Sequence, residues 1–121
     1  MPIVLNVDHE RNLVFSIAIG PVTFDDVRNH LLLERHFNGL AYKELIDARA
    51  GWVSFSSAEA RQIVELIRSL GRESKLDATA VLVSGDVAFG VVRMVETLVE
   101  DVCAVKPFRD EQEARAWLAA Q

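Results

Sequence analysis

Apolar and polar residues alternate along the first part of the chain. The apolar positions are Ile3, Leu5 and Val7 in one run and Leu13, Phe15, Ile17 and Ile19 in a second run. A period of two is typical of β-strands. The polar segment 8–12 separates the runs, so the pattern predicts an antiparallel hairpin whose second strand ends at Gly20-Pro21.

A first helix is predicted after the hairpin. Thr23 suits the N-cap position, and Asp26 follows it at the spacing of a capping box. The helix is expected to reach about Phe37 and to stop at Asn38-Gly39, a common left-handed ending. Its apolar residues do not form one stripe, because Leu33 and Phe37 lie apart from Val27 and Leu31.

The stretch from Leu45 to Gly71 gives the strongest secondary-structure signal. Leu45-Ile46 is predicted as a short strand, followed by a loop that carries Trp52 and three serines. Ser56 and Glu59 then form a capping box, and the helix is expected to end at Gly71. Its inward stripe contains Ala60, Ile63, Val64, Ile67 and Leu70.

The second half of the chain continues the alternation of strands and helices. Residues 78–83 form an apolar run typical of a strand that is buried on both faces. Asp86 is expected to cap the next helix, residues 102–108 to form a last strand, and Asp110 to cap a final helix. The order β-β-α-β-α-β-α-β-α predicts one α/β domain over residues 1–121, with a mixed, mostly parallel open sheet of about five strands and four helices.

Composition and charge narrow the classes of partner. The chain has 121 residues and a formal net charge of −5, without a run of Lys or Arg, so a nucleic acid is not expected as a partner. Cys103 is the only cysteine, which excludes a disulfide or a paired-cysteine metal site within the chain. The N-terminal residues do not resemble a signal peptide, and no apolar run is long enough for a transmembrane segment. A cytoplasmic protein is therefore expected.

Candidate chemistry is sparse. Asp26, His30 and Glu34 are spaced four residues apart and would share one helical face, an arrangement that can hold a metal but more often forms solvated ion pairs. We therefore predict no metal site and no cofactor. No serine has the flanking glycines of a nucleophile elbow, and no phosphate-binding loop is present. The expectation is a protein that is not an enzyme, with no catalytic residue.

Two loops are candidates for a binding edge. Trp52 and Phe55 follow the central strand, and Ser84-Gly85-Asp86 follows the next strand along the chain. Ligands of α/β sheets bind at the carboxyl ends of parallel strands, so these residues are predicted to line a ligand or partner edge. The alternative is that Trp52 and Phe55 fold back over the core as a lid.

Three segments resemble the STAS domain of bacterial anti-sigma-factor antagonists, and in particular its SpoIIAA-like branch. They are YKELIDAR, TAVLVSGD leading into a helix, and PFRDEQEARAWL. The resemblance implies a fold that is also seen in lipid-carrying CRAL-TRIO domains, and a function in binding and regulation. It also implies a phospho-acceptor serine at the start of the second helix, where this chain has Ser56 and Ser57. The neighbouring Asp and Gly of the family are missing, and plain helix capping by Ser56 is the alternative.

Two functional hypotheses follow. The first is a non-enzymatic regulatory or protein-interaction module that acts as a homodimer or with a protein regulator. It depends on the resemblance and on the surplus apolar residues Leu33, Phe37 and Phe89, which suggest an unfilled surface. The second is a small carrier that binds a lipid or another apolar ligand between its helices.

Overall fold

The computed structural model describes residues 3–121, which form five strands and four α-helices. The strands are β1 (Ile3–Asp8), β2 (Leu13–Val22), β3 (Lys43–Val53), β4 (Thr79–Leu82) and β5 (Val105–Phe108). The helices are α1 (Phe24–His36), α2 (Ser57–Glu73), α3 (Asp86–Leu98) and α4 (Glu111–Ala119). The predicted fold class and element order are confirmed.

The sheet has the strand order β1-β2-β3-β4-β5. β1 pairs antiparallel with β2 as the hairpin pattern predicts, and the other neighbours are parallel. Consecutive crossovers of the same hand place α1, α2 and α3 on one face of the sheet. α4 follows the last strand and packs on the opposite face, against β3, β4 and β5.

The helix starts agree with the capping residues that the sequence indicates. Thr23 and Asp26 form a capping box at the start of α1, and Ser56 and Glu59 form another at the start of α2. Asp110 caps α4 by accepting a hydrogen bond from the backbone N–H of Glu113. These side chains satisfy backbone donors that have no partner within the helix.

Several predicted boundaries are wrong. β3 continues to Val53 because its second half pairs with β2, so Trp52 lies in a strand and not in a loop. α2 passes through Gly71 and ends at Glu73, while the last strand begins only at Val105. Asp86 is the first residue of α3 and does not cap it; its carboxylate instead accepts a hydrogen bond from Arg109.

The two faces of the sheet are covered unequally. On the α4 face, a packed core contains Leu45, Ala78, Ala80, Leu82, Phe108, Ala114 and Leu118. Phe15 also packs there, but Ile17 and Ile19 on the same side of β2 are exposed because α4 does not reach them. On the other face of β2, Val14, Ser16 and Ala18 are buried beneath the helices.

Candidate functional site

An apolar cavity of about 210 Å³ lies between the sheet and the layer formed by α1, α2 and α3. The sheet contributes small and β-branched side chains, among them Ala18, Ile46, Val81, Val83 and Val105. The helices contribute Val27, Leu31, Ala60, Ile63, Ile67, Leu70, Val91, Val92 and Val95. The walls are therefore made almost entirely of hydrocarbon.

The amphipathic pattern of α2 explains why the cavity is apolar. The stripe that was predicted to face inward does so, and Ala60, Ile63, Ile67 and Leu70 line the cavity. Val64, on the edge of the stripe, packs against Val95 of α3 and against Val99, which follows the end of that helix. Most of the inward residues of α2 thus border the cavity.

A buried polar cluster borders this cavity. Ser16 of β2, His30 and Glu34 of α1 and Glu44 of β3 are each at most 4% exposed, and the last three line the cavity. His30 and Glu34 are one helical turn apart, so both point from α1 towards the sheet. Glu44 projects from the same face of the sheet as Ser16, one strand away.

Glu44 is the centre of the hydrogen-bond network in the cluster. Its Oε2 accepts a hydrogen bond from the Ser16 hydroxyl at 2.7 Å and another from His30 Nε2 at 2.9 Å. Glu34 Oε1 also lies against His30 Nε2. This contact is an ion pair, because no donor among residues 3–121 meets Glu34 Oε1 with the geometry of a hydrogen bond.

The surroundings shift the pKa values of His30, Glu34 and Glu44. Burial alone would lower the pKa of His30, but the close contacts with the Glu34 and Glu44 carboxylates and their charges outweigh it and raise this pKa to about 10. Burial, followed by the charge of Glu44, raises the pKa of Glu34 well above its usual range. Burial would also raise the pKa of Glu44, but its hydrogen bond with His30 is the main reason that this pKa is lowered overall.

The cluster corrects the interpretation of the helical triplet Asp26, His30 and Glu34. His30 and Glu34 are not solvated, since they lie beneath α1 against the sheet. Asp26 does not join them, because its carboxylate accepts hydrogen bonds from the backbone and hydroxyl of Thr23. Glu44 was not predicted as a site residue, and its only signal in the sequence is that an acidic residue directly precedes the apolar pair Leu45-Ile46.

The residues of the predicted binding edge are partly brought together. Trp52, Ser84, Gly85 and Asp86 line one shallow depression at the carboxyl ends of β3 and β4, and Trp52 is 59% exposed. The Ser84 hydroxyl donates a hydrogen bond to the backbone oxygen of Arg49 at 2.9 Å. Phe55 is not part of this depression but lines the apolar cavity, which Trp52 also borders. The binding-edge interpretation of Trp52 and Phe55 and its lid alternative therefore both stay predictions.

The two serines at the start of α2 have different surroundings. The Ser56 hydroxyl accepts a hydrogen bond from the backbone N–H of Glu59 at 3.1 Å, and the Ser56 N–H donates to the Glu59 carboxylate at 2.9 Å. Ser57 is the exposed first residue of the helix. Capping accounts for Ser56, and phosphorylation of either serine stays a prediction.

The apolar residues that were expected to form a surface patch are dispersed. Phe37, at the end of α1, is exposed, and Leu33 is half-buried. Phe89 of α3 lies beneath the guanidinium of Arg109, whose Cζ is 4.5 Å from the ring centroid. These residues therefore do not form one surface.

Comparison with known proteins identifies the fold. No protein-family model matches the sequence, and no curated protein matches it either. Among solved structures, the chain is similar to an uncharacterised protein of the DUF3478 family with a SpoIIAA-like fold from Shewanella loihica PV-4. The two are 22% identical with a TM-score of 0.61, and the match covers 96% of this chain and 93% of that chain. The chain thus has the SpoIIAA-like fold that the sequence resemblance implied. Within residues 3–121, no helix is long and apolar enough to cross a membrane.

Proposed function

We propose that this protein is a non-enzymatic binding module that holds a small, largely apolar molecule between its sheet and α1–α3. The apolar cavity is the observation that carries the proposal. An engineered apolar cavity of about 150 Å³ stays dry and binds benzene, so a cavity of about 210 Å³ is large enough for a ligand of that kind. The hydrocarbon walls favour an apolar body over a sugar or a nucleotide.

The buried cluster supports binding over turnover. In a nucleophilic triad the serine donates its proton to a histidine, which then acts as the base. Here Ser16 donates to Glu44, and His30 donates to the same carboxylate. The imidazole is thus not in position to activate the Ser16 hydroxyl.

Native mass spectrometry of freshly purified protein tests the proposal. We expect a fraction of the molecules to show an additional mass from a bound compound. Organic extraction should release this compound, and it should dissolve in apolar solvent. A protein that shows only its own mass, and that takes up no apolar compound from a mixed library, would contradict the proposal.

A second candidate is self-association through the uncovered part of the sheet, as in the protein-interaction hypothesis. Val4, Ile17 and Ile19 lie on the side of the sheet that α4 leaves open and are 63%, 38% and 60% exposed. Val4 and Ile17 are direct cross-strand neighbours, and β1 is an edge strand whose outer backbone groups pair with no other strand within residues 3–121. A second copy of the chain could pair along β1 and cover this patch.

Sedimentation equilibrium of two matched variants tests the second candidate. Ile19→Lys places a charge in the patch and should convert a dimer into a monomer, whereas Val87→Lys alters an exposed valine on α3 and should leave the dimer intact. A wild-type protein that stays monomeric at high concentration, or equal effects of both substitutions, would exclude this candidate.

A further inference from the structure

We propose that His30, Glu34 and Glu44 form a binding site for one divalent transition-metal ion, with Zn²⁺ as the best-suited probe. One nitrogen and two carboxylate oxygens converge from α1 and β3 at the border of the apolar cavity. This site goes beyond the proposed function, since it stands whether or not an apolar molecule occupies the cavity.

The donor atoms are already close to the spacing that a metal requires. The three ligand atoms all lie within 4.8 Å of one another, and His30 Nε2 is 2.9 Å from Glu44 Oε2. A tetrahedral ion with ligand bonds of about 2.0–2.2 Å separates its donors by about 3.3–3.6 Å. Small outward shifts of the side chains are therefore enough to admit the ion.

Charge favours a divalent ion at this position. A neutral imidazole and two ionised carboxylates around a dication form a neutral buried assembly, which avoids an unpaired charge in the interior. On binding, His30 releases to solvent the Nε2 proton that it now donates to Glu44, and any proton held by Glu34 leaves in the same way. The ion would also give Glu34 Oε1, the buried oxygen without a hydrogen bond among residues 3–121, a partner.

The surroundings resemble those of metal sites that keep an open position. The Ser16 hydroxyl donates a hydrogen bond to Glu44 and orients it, as hydrogen-bond donors commonly orient metal-binding carboxylates. Three protein ligands leave at least one coordination position, and it faces the cavity because all three residues line it. Water, or the polar group of a bound molecule, could complete the coordination from that side.

Metal titration of purified, metal-stripped protein tests the site. We expect Zn²⁺ to bind with one-to-one stoichiometry by equilibrium dialysis, and Co²⁺ to give the visible absorption of a low-coordinate N/O site. Glu34→Gln keeps the shape of the side chain but weakens a ligand, and should reduce the affinity at least about tenfold. Ser16→Ala leaves all three ligands in place and should produce a smaller loss.

Exposed residues of the same types provide the controls. His36→Asn removes a histidine at the end of α1, and Glu65→Gln removes a carboxylate on the outer side of α2. Both should leave Zn²⁺ binding unchanged, and circular dichroism checks that every variant is folded. Binding that Glu34→Gln leaves unchanged, or that His36→Asn abolishes, would overturn the proposal. If Glu34→Gln does not fold, a wild-type Co²⁺ spectrum identical to that of aqueous Co²⁺ would overturn it as well.

Discussion

Glu34 and Glu44 contact the same imidazole but differ in how the fold holds them. Glu44 accepts hydrogen bonds from both Ser16 and His30, and these favour its ionised form. Glu34 is equally buried, but burial and the charge of Glu44 favour its protonated form. The pair therefore combines one ionised carboxylate with one carboxyl whose charge is disfavoured, an asymmetry that substitutions can reveal.

Amide substitutions at the two positions should differ in cost. Glu44→Gln removes the buried charge that pairs with His30 and should lower the free energy of unfolding by about 3 kcal/mol. Glu34→Gln replaces a carboxyl whose ionisation is already disfavoured and should cost less than about 1 kcal/mol. Urea denaturation in the absence of metal measures both, with exposed Glu65→Gln as the control. Equal losses at the two buried positions would contradict the asymmetry.

The pH dependence of the stability follows from the same cluster. The pKa of His30 rises from 6.5 to about 10 on folding, so its stabilising contribution is complete below pH 6.5 and is lost as the pH rises towards 10. The raised pKa of Glu34 acts in the same direction from about 4.5 upwards. Metal-free protein should therefore need less urea to unfold near pH 10 than at pH 6.5. His30→Asn should flatten this slope and His36→Asn should not; a wild-type stability that rises over this interval would exclude a protonated His30.

Helix α2 has an N-terminus that is capped by side chains and an inner face that is incompletely packed. Ser56 and Glu59 satisfy each other's backbone donors at its N-terminus. Val64 and Ile67 of its inward stripe pack in a cluster with Val95 and Val99, and every stripe residue except Val64 lines the cavity. The start and the stripe of α2 could be read from the sequence, because caps and periodicity are local properties.

Removal of the Ser56 hydroxyl tests whether capping is its main role. Ser56→Ala should lower the free energy of unfolding by about 1 kcal/mol, because the backbone N–H of Glu59 loses its acceptor. Ser57→Ala, one residue later and exposed, should change it by less than about 0.5 kcal/mol. Thermal unfolding measures both. Phosphopeptide mapping from the native host gives a separate readout, since phosphate on either serine would add a regulatory role.

The same substitution in two helices distinguishes a cavity from a packed core. Ala60 in α2 and Ala114 in α4 both occupy the fourth helical position and are both buried. Ala60→Leu adds carbon to the cavity and should raise the free energy of unfolding by about 1 kcal/mol. Ala114→Leu overfills the packed core beneath α4 and should lower it by about 1–3 kcal/mol. Equal destabilisation in urea would mean that the space beneath α2 is filled.

The sheet separates a tightly packed layer beneath α4 from a loosely packed layer beneath α1–α3. α4 seals one half of its face with a continuous apolar core, whereas α1–α3 leave room for about 210 Å³ of cavity on the other. Ligand pockets are usually preformed and lined mainly by hydrophobic side chains, so the proposed ligand is expected in the loosely packed layer.

The sequence predicted the layers but not the space between them. Alternation in β1 and β2 and the caps of α1 and α2 were sufficient for the element order, because they depend on neighbouring residues. The distance of α2 from the sheet depends on packing among distant segments, so the inward stripe gave no indication of a cavity. Likewise, the spacing of His30 and Glu34 was visible in the sequence. The buried cluster that they join, however, also contains Glu44 and Ser16, which come from two separate strands.

Fluorescence titration with 1-aminoanthracene tests whether the cavity is a ligand site, because this apolar probe brightens in apolar surroundings and its use does not require the natural ligand. We expect saturable one-to-one binding to the wild-type protein and at least tenfold weaker binding to Ala60→Leu, which shortens the cavity. Ser57→Ala, on the outside of the same helix, should bind as the wild type does. No saturable binding, or equal binding by Ala60→Leu and the wild type, would contradict a ligand site between the sheet and α1–α3.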